Sequence, residues 1–130
     1  MDYKQAISII DGVIENAWLN LHEGHEPEEA RELEAARKLT AIVPSGMEIP
    51  TEILKTTIYD LLTYNENKTD MIYDICGLAT YDREMLNECL KETDRFTEDE
   101  REDIADFIRS KDAIIFWCNL LPEATKQGGE

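Results

Sequence analysis

Apolar residues recur along most of this chain at steps of three and four, the spacing that places side chains on one face of an α-helix. Residues 3–21 show the pattern clearly, and their apolar stripe consists of Ile7, Ile10, Ile14, Ala17 and Leu21. Asp2 and Gln5 stand before this stripe at the spacing of a capping box. No stretch shows the convincing alternation of a strand. We therefore predict an all-α protein.

The second predicted helix covers residues 27–42 and begins at Pro27, because the first helical position tolerates proline. Its content of Ala, Glu, Leu and Arg favours a helix, and the Pro-Ser-Gly break at 44–46 ends it. We predict that its inner side consists of Ala30, Leu33, Ala36 and Thr40.

The third and fourth predicted helices lie on either side of a polar loop at 65–68. The third begins at residue 50 or 51 and reaches residue 64, and Thr69 caps the short fourth helix. Gly77 stands near the end of the fourth, where glycine commonly caps a helix. Short connections of this kind favour antiparallel packing of neighbouring helices.

Capping residues also mark the last two helices. Asp82 caps the fifth, and Thr97 with Glu100 forms a capping box for the sixth. The sixth either runs unbroken to Leu121 or breaks near residues 110–112. The apolar side of the fifth consists of Met85, Leu86, Cys89 and Leu90.

Together these elements predict a compact bundle of about five or six helices with a long C-terminal helix. A chain of 130 residues is long enough to bury a core as a single domain, which we place at residues 1–122. Residues 123–130 show no apolar periodicity, and we expect them to form a disordered tail.

The last predicted helix changes character half-way. From Ala113 onward, apolar side chains cover most of its circumference. A helix that is apolar all round is buried all round, which favours a central position in the bundle. The alternative is an interface for a homodimer or another partner, because soluble monomers rarely expose so large an apolar patch. That interface would use Phe116, Trp117 and Leu120.

The net charge of the chain limits the range of possible functions more than any other feature of the sequence. The chain carries 29 Asp and Glu against 13 Lys and Arg, a net charge of −16. Residues 23–34 contain six acids and one arginine, and residues 82–106 contain eleven acids and four bases. These two segments hold most of the excess. They either keep the protein in solution or attract a basic partner.

The sharper of the two concentrations lies on the sixth predicted helix. On a helical wheel five carboxylates fall within an arc of about 140°; they are Glu98, Asp99, Glu102, Asp103 and Asp106. Like charges at i and i+4 destabilise a helix by a few tenths of a kcal/mol, a cost that mixed charge avoids. A concentrated anionic ridge attracts a cationic surface, which mixed charge does not do. The second-ranked candidates are Glu28, Glu29 and Glu32.

Catalytic, metal and cofactor motifs do not rise above background. His22 and His25 are three residues apart around a glycine, whereas a helical zinc motif needs two histidines at i and i+4. No Glu-x-x-His spacing, glycine-rich phosphate loop or nucleophile motif occurs. We therefore expect no enzyme activity and no cofactor. Direct nucleic-acid binding is disfavoured as well, because phosphate contacts need clustered Lys and Arg.

The remaining features of the sequence concern the cellular location of the protein and the redox state of its cysteines. Met1 leads directly into a polar helix start without the apolar core of a signal peptide. The longest nearly apolar run, 113–121, has nine residues, whereas a membrane span needs roughly 20. We expect no membrane partner and a cytoplasmic location. The three cysteines have apolar neighbours and no close pairing in sequence, which predicts buried, reduced thiols.

Our hypothesis from these observations is a non-enzymatic interaction protein that binds a basic partner, such as a nucleic-acid-binding protein, through its acidic helices. In size, charge and helicity the chain resembles the DNA-mimic inhibitors encoded by phages, some anti-CRISPR proteins among them. The resemblance is one of composition, and we assign no family on it. It implies an inhibitor whose carboxylates occupy a groove built for phosphates. The alternative is an assembly protein that homodimerises or docks through its apolar C-terminal helix.

Overall fold

Six α-helices and one short 3-10 helix make up the described part of the chain. The computed structural model describes residues 2–19, 27–44, 46–63 and 66–121. The elements are α1 (Tyr3–Leu19), α2 (Glu28–Ala41), α3 (Thr51–Tyr59), the 3-10 helix (Leu61–Thr63), α4 (Glu66–Cys76), α5 (Arg83–Lys91) and α6 (Glu98–Leu120). The described ranges contain no strand. The predicted all-α bundle with a long C-terminal helix is confirmed, whereas the predicted tail at 123–130 lies outside the described residues.

The predicted N-terminal caps of α1, α5 and α6 satisfy their helix ends as expected. The Gln5 amide donates to Asp2 Oδ1 at 2.8 Å, and the Asp2 amide donates to Gln5 Oε1 at 3.1 Å. Thr97 and Glu100 form the same reciprocal pair at the start of α6, with distances of 2.9 and 3.1 Å. These contacts join residues three apart in sequence, so local composition alone determines them.

Two element boundaries differ from the prediction. α4 begins at Glu66, so the predicted loop at 65–68 is wrong for residues 66–68, and Thr69 lies inside the helix instead of capping it. Within this turn Asn67 is exposed, and Lys68 reaches the carboxylate of Asp103 on α6. The third predicted helix is shorter than expected, because α3 ends at Tyr59 and a 3-10 turn follows.

The buried face of α2 is not the predicted one. The structure buries Ala35 and Leu39, whereas Leu33 is 71% exposed. The spacing from Ala35 through Leu39 continues to Ile42 and Val43, which pack on the same apolar cluster. This continuous stripe against α1 determines the orientation of α2, and the single large side chain of Leu33 does not.

Two apolar clusters form the core, and α6 contributes to both. The first cluster unites α1, α2 and the turn after α3 with the C-terminal half of α6; its buried members are Ala6, Ile10, Ile14, Ala17, Ala35, Leu39, Leu61, Ile114, Trp117 and Leu121. The second unites α4 and α5 with the N-terminal half of α6; its buried members are Ile72, Cys76, Leu86, Cys89, Phe96, Ile104, Phe107 and Ile108. α6 is therefore the common wall of both clusters.

α6 runs unbroken through the junction of the two clusters. It has 23 residues, which at 1.5 Å per residue gives a length of about 34 Å. The alternative break near residues 110–112 does not occur. Ser110 is buried at this junction, and its hydroxyl has no hydrogen-bond partner among the described residues.

Candidate acidic interaction surface

The start of α6 presents three exposed carboxylates, those of Glu98, Asp99 and Glu102. Glu98 and Glu102 are one turn apart, or about 6 Å along the helix axis. No ion pair involves these three side chains within the described part of the chain. Two of them lie in the first turn, where the helix dipole favours negative charge and offsets part of their mutual repulsion. We call these three residues the α6 ridge.

The other two predicted carboxylates of this helix each pair with a cation. Asp103 Oδ1 lies 3.4 Å from Lys68 Nζ on α4. Asp106 pairs with Arg109 one turn later on the same helix. Both aspartates are about one-third exposed, so solvent screens these pairs and they contribute little to stability. The ion pairs nevertheless reduce the negative charge that Asp103 and Asp106 offer to a partner.

The second acidic surface lies on α2. Glu28 and Glu29 are exposed in the first turn, and Glu32 is half-buried one turn later. Tyr59 lies at the end of α3, beside this surface. Its interaction with Glu32 raises the pKa of Tyr59 to about 12, with smaller contributions from desolvation and from the charges of Glu28 and Glu29. The sequence analysis missed Tyr59, because no spacing in the sequence links it to α2.

The structure does not bring the two acidic surfaces together in one half of the molecule. α2 packs on α1 and α3 around the first cluster. The N-terminal half of α6 packs with α4 and α5 around the second. A partner that binds the α6 ridge therefore has no requirement to contact Glu28, Glu29 and Glu32.

Two arginines of the acidic segments are half-buried. They are Arg31 on α2 and Arg101 on α6, and the Nε atom of each is buried without a hydrogen-bond partner among the described residues. The other two, Arg83 and Arg95, are exposed and pair with Asp112 and Glu92.

The apolar end of α6 lies mostly inside the bundle. Trp117 is fully buried in the first cluster. Phe116 and Leu120 are half-buried and pack against that cluster, and the Phe116 ring meets the Trp117 ring edge-on at 5.6 Å. This arrangement favours the central-helix interpretation. Of the three residues considered for an oligomer interface, only Phe116 and Leu120 retain exposed area.

A half-buried polar network crosses the junction between the clusters, which sequence reasoning did not find. Asp112 on α6 accepts a hydrogen bond from the Tyr81 hydroxyl at 3.0 Å and from Arg83 Nε at 2.9 Å. Burial and the adjacent carboxylate raise the pKa of Tyr81. The network joins the start of α5 to the middle of α6 and fixes the position of one on the other.

Lys111, next to Asp112, is half-buried between aromatic rings. Its ammonium lies 5.4 Å from the centre of the Tyr3 ring and 5.3 Å from that of Phe107. Burial lowers the pKa of Lys111. Beside it, an open groove of about 570 Å³ separates the start of α1 from the end of α6, with Tyr3, Ile115 and Cys118 among its lining residues.

No group of three or more His, Cys, Asp or Glu side chains is placed to hold a metal ion in the described ranges. His22 and His25 lie outside those ranges. Among the helices of the described chain, none has the length and apolar character needed to cross a membrane.

The acidic surface thus has a defined geometry: an exposed α6 ridge, two flanking aspartates paired with cations, and a separate acidic face on α2. These are features of charge and position. No protein-family model, curated protein or solved structure matches the chain.

Proposed function

We propose that this chain is a non-enzymatic interaction module that occupies a basic groove of a nucleic-acid-binding protein and so inhibits it. The observation that carries the proposal is the α6 ridge. Glu98, Asp99 and Glu102 are exposed, lie on one helix and have no cation paired with them among the described residues. A surface evolved only for solubility has no need to leave its carboxylates unpaired in one place.

The physical mechanism is electrostatic competition. Carboxylates at a pitch of about 6 Å on a rigid helix can contact the Lys and Arg side chains that otherwise hold phosphates. The net charge of −16 extends the attraction beyond the contact itself and speeds the encounter with a cationic surface. Asp103 and Asp106 can join the contact when a Lys or Arg side chain of the partner replaces Lys68 or Arg109.

The proposal is tested by capture and competition. Immobilised protein is incubated with cell lysate at low salt, and bound proteins are eluted by duplex DNA, by RNA and by salt in separate arms. We expect a captured protein that binds nucleic acid by itself and that DNA or RNA displaces. A bound protein that neither nucleic acid displaces, or that lacks nucleic-acid binding, contradicts the proposal.

Homodimerisation through α6 is the alternative, and no specific observation favours it now that Trp117 is placed in the core. Light scattering on the purified protein measures it directly. A monomer at micromolar concentration leaves the acidic surface as the candidate site. If the protein is a dimer, and if Leu120→Asp dissociates it without unfolding the chain, the result supports the assembly hypothesis.

A further inference from the structure

The open groove between the start of α1 and the end of α6 has the dimensions of a small-molecule site. Its volume is about 570 Å³, and most of the surface that it exposes is apolar. Sites for small molecules usually measure about 300–1,000 Å³ and combine a mainly apolar lining with a few polar groups. The lining here consists of Asp2, Tyr3, Lys4, Ile115, Cys118 and Asn119.

The apolar part of this lining is left uncovered by the rest of the described chain. Tyr3 is 40% exposed, and Ile115 is half-buried. Cys118, three residues further along α6, lies on the same face of the helix as Ile115. The sequence predicted a buried thiol at Cys118, whereas the structure leaves it half-buried; Cys76 and Cys89 are buried as predicted, and none of the three forms a disulfide.

Two lysines at the groove have no carboxylate partner. Lys4 lines the groove and is exposed. Lys111 lies one turn before Ile115 on α6, and its half-buried ammonium is 5.4 Å from the centre of the Tyr3 ring. Within the described ranges neither lysine takes part in an ion pair, although the chain contains 29 Asp and Glu.

The acids next to these lysines have other partners. Asp2 Oδ1 accepts a hydrogen bond from the Gln5 amide at 2.8 Å, and Asp112 accepts from Tyr81 and Arg83. A half-buried ammonium without a counter-ion loses hydration that nothing replaces, in agreement with the lowered pKa of Lys111. An anionic group on a bound molecule would supply the missing partner.

We propose that the groove binds a small amphiphilic carboxylate of the medium-chain fatty acid class. The hydrocarbon chain lies on Tyr3, Ile115 and Cys118, and the carboxylate lies at Lys4 with Lys111 beside it. Because the net charge of −16 repels anions at long range, burial of the chain supplies most of the affinity. The inference is independent of the proposed function, since the α6 ridge lies roughly 20 Å away along the helix axis.

The experiment titrates the full chain with decanoate, below the concentration at which decanoate forms micelles. Calorimetry measures the affinity, and NMR shifts of the backbone amides locate the site. We expect saturable binding with the largest shifts at residues 2–4 and 115–119. From hexanoate to decanoate the affinity should rise about two- to fourfold per methylene, because each methylene is partly or fully buried. Decanol, which has the same chain without the charge, should bind more weakly.

Four variants separate the contribution of charge from that of the apolar lining. Lys4→Gln and Lys111→Met should each weaken decanoate binding about threefold and leave decanol binding unchanged. Lys55→Gln is the matched control, because Lys55 is an exposed lysine on α3. Cys118→Trp fills the groove and should abolish binding of both compounds.

A second measurement uses the unaltered chain and remains decisive if Cys118→Trp does not fold. Bound decanoate should slow the alkylation of Cys118 by iodoacetamide. Trypsin cleaves after Lys111 and Lys126, so peptide 112–126 reports on this cysteine alone.

The proposal is overturned if decanoate does not bind, if decanol binds as tightly, or if Cys118 is alkylated equally fast with and without decanoate. It is also overturned if the purified protein is a dimer that Ile115→Asp dissociates, because a second copy of the chain then covers the groove.

Discussion

The indole N–H of Trp117 donates a 2.8 Å hydrogen bond to the hydroxyl of Thr57, and both side chains are fully buried. Thr57 in turn donates to the Ile53 carbonyl at 2.7 Å, so its hydroxyl links the α3 backbone to α6. The bond gives the largest buried side chain of the first cluster a polar partner, and it fixes the rotation of α6 against α3.

The first prediction follows from this bond. Thr57→Val keeps the side-chain shape but leaves the Trp117 N–H buried without an acceptor, which costs about 1–3 kcal/mol. Urea unfolding measures the loss, and Thr57→Ser is the control that retains the hydroxyl. If the valine variant is as stable as the unaltered chain, Trp117 finds another acceptor and the bond does not fix α6.

The second prediction separates core from interface at the end of α6. Trp117→Asp buries a charge and leaves a cavity, and we expect the chain to unfold, since removal of a buried Trp alone costs about 3–5 kcal/mol. Leu33→Asp is the matched control, because Leu33 is 71% exposed and a surface change stays within about 0.5 kcal/mol. Circular dichroism and light scattering measure both variants. A folded Trp117→Asp monomer contradicts a core position.

The third prediction concerns the start of α6. Thr97→Ala removes one side of the capping box and leaves the Glu100 amide without its acceptor, which costs about 1 kcal/mol of stability. The first turn of α6 holds two residues of the α6 ridge, and its backbone amides should exchange hydrogen faster in this variant. Thr97→Ser should restore both. Unchanged exchange in the alanine variant would mean that packing alone holds this turn.

The fourth prediction is a pH dependence from Lys111. Because burial lowers its pKa in the folded state, the unfolded chain binds its proton more tightly. The buried ammonium therefore lowers the free energy of unfolding. This loss is present in full below the lowered pKa and disappears as the pH rises past the pKa of the unfolded chain, about 10.4. Lys111→Met should therefore stabilise the protein at neutral pH, and its advantage should shrink with rising pH. Thermal melts of both proteins across alkaline pH measure this.

The opposite outcome at Lys111 has a clear meaning. If Lys111→Met destabilises the protein at neutral pH, the contacts of the ammonium with the Tyr3 and Phe107 rings outweigh the cost of burial. Lys111→Arg is the control, since it keeps a charge that can lie over both rings.

The capping boxes of α1 and α6 were predictable from sequence, whereas the tertiary contacts were not. The pairs Asp2–Gln5 and Thr97–Glu100 join neighbours in sequence, so residue type and spacing predict them. The burial of Thr57 depends on a tryptophan 60 positions away. Periodicity predicted the wrong buried face for α2, because contact with α1 determines which face is buried.

The candidate site was likewise predictable from the sequence only in part. Wheel geometry grouped five carboxylates on α6, and that grouping needs only the helix. It could not foresee that Lys68, 35 positions from Asp103, lies beside that aspartate. Of the five predicted carboxylates, the three of the α6 ridge are exposed, whereas Asp103 and Asp106 each pair with a cation.

We propose that the α6 ridge binds a cationic groove. The most direct test of this binding is the affinity for the captured partner as a function of salt, for the unaltered chain and two variants with equal charge change. Glu98→Gln with Glu102→Gln removes two carboxylates of the ridge. Asp11→Asn with Glu15→Gln removes an exposed pair at the same i, i+4 spacing on α1.

We expect that affinity falls steeply with salt and that the α6 double variant binds at least about tenfold more weakly at low salt. The α1 double variant should bind nearly as tightly as the unaltered chain. Affinity that is independent of salt, or equal losses in the two variants, would contradict a binding site at the α6 ridge.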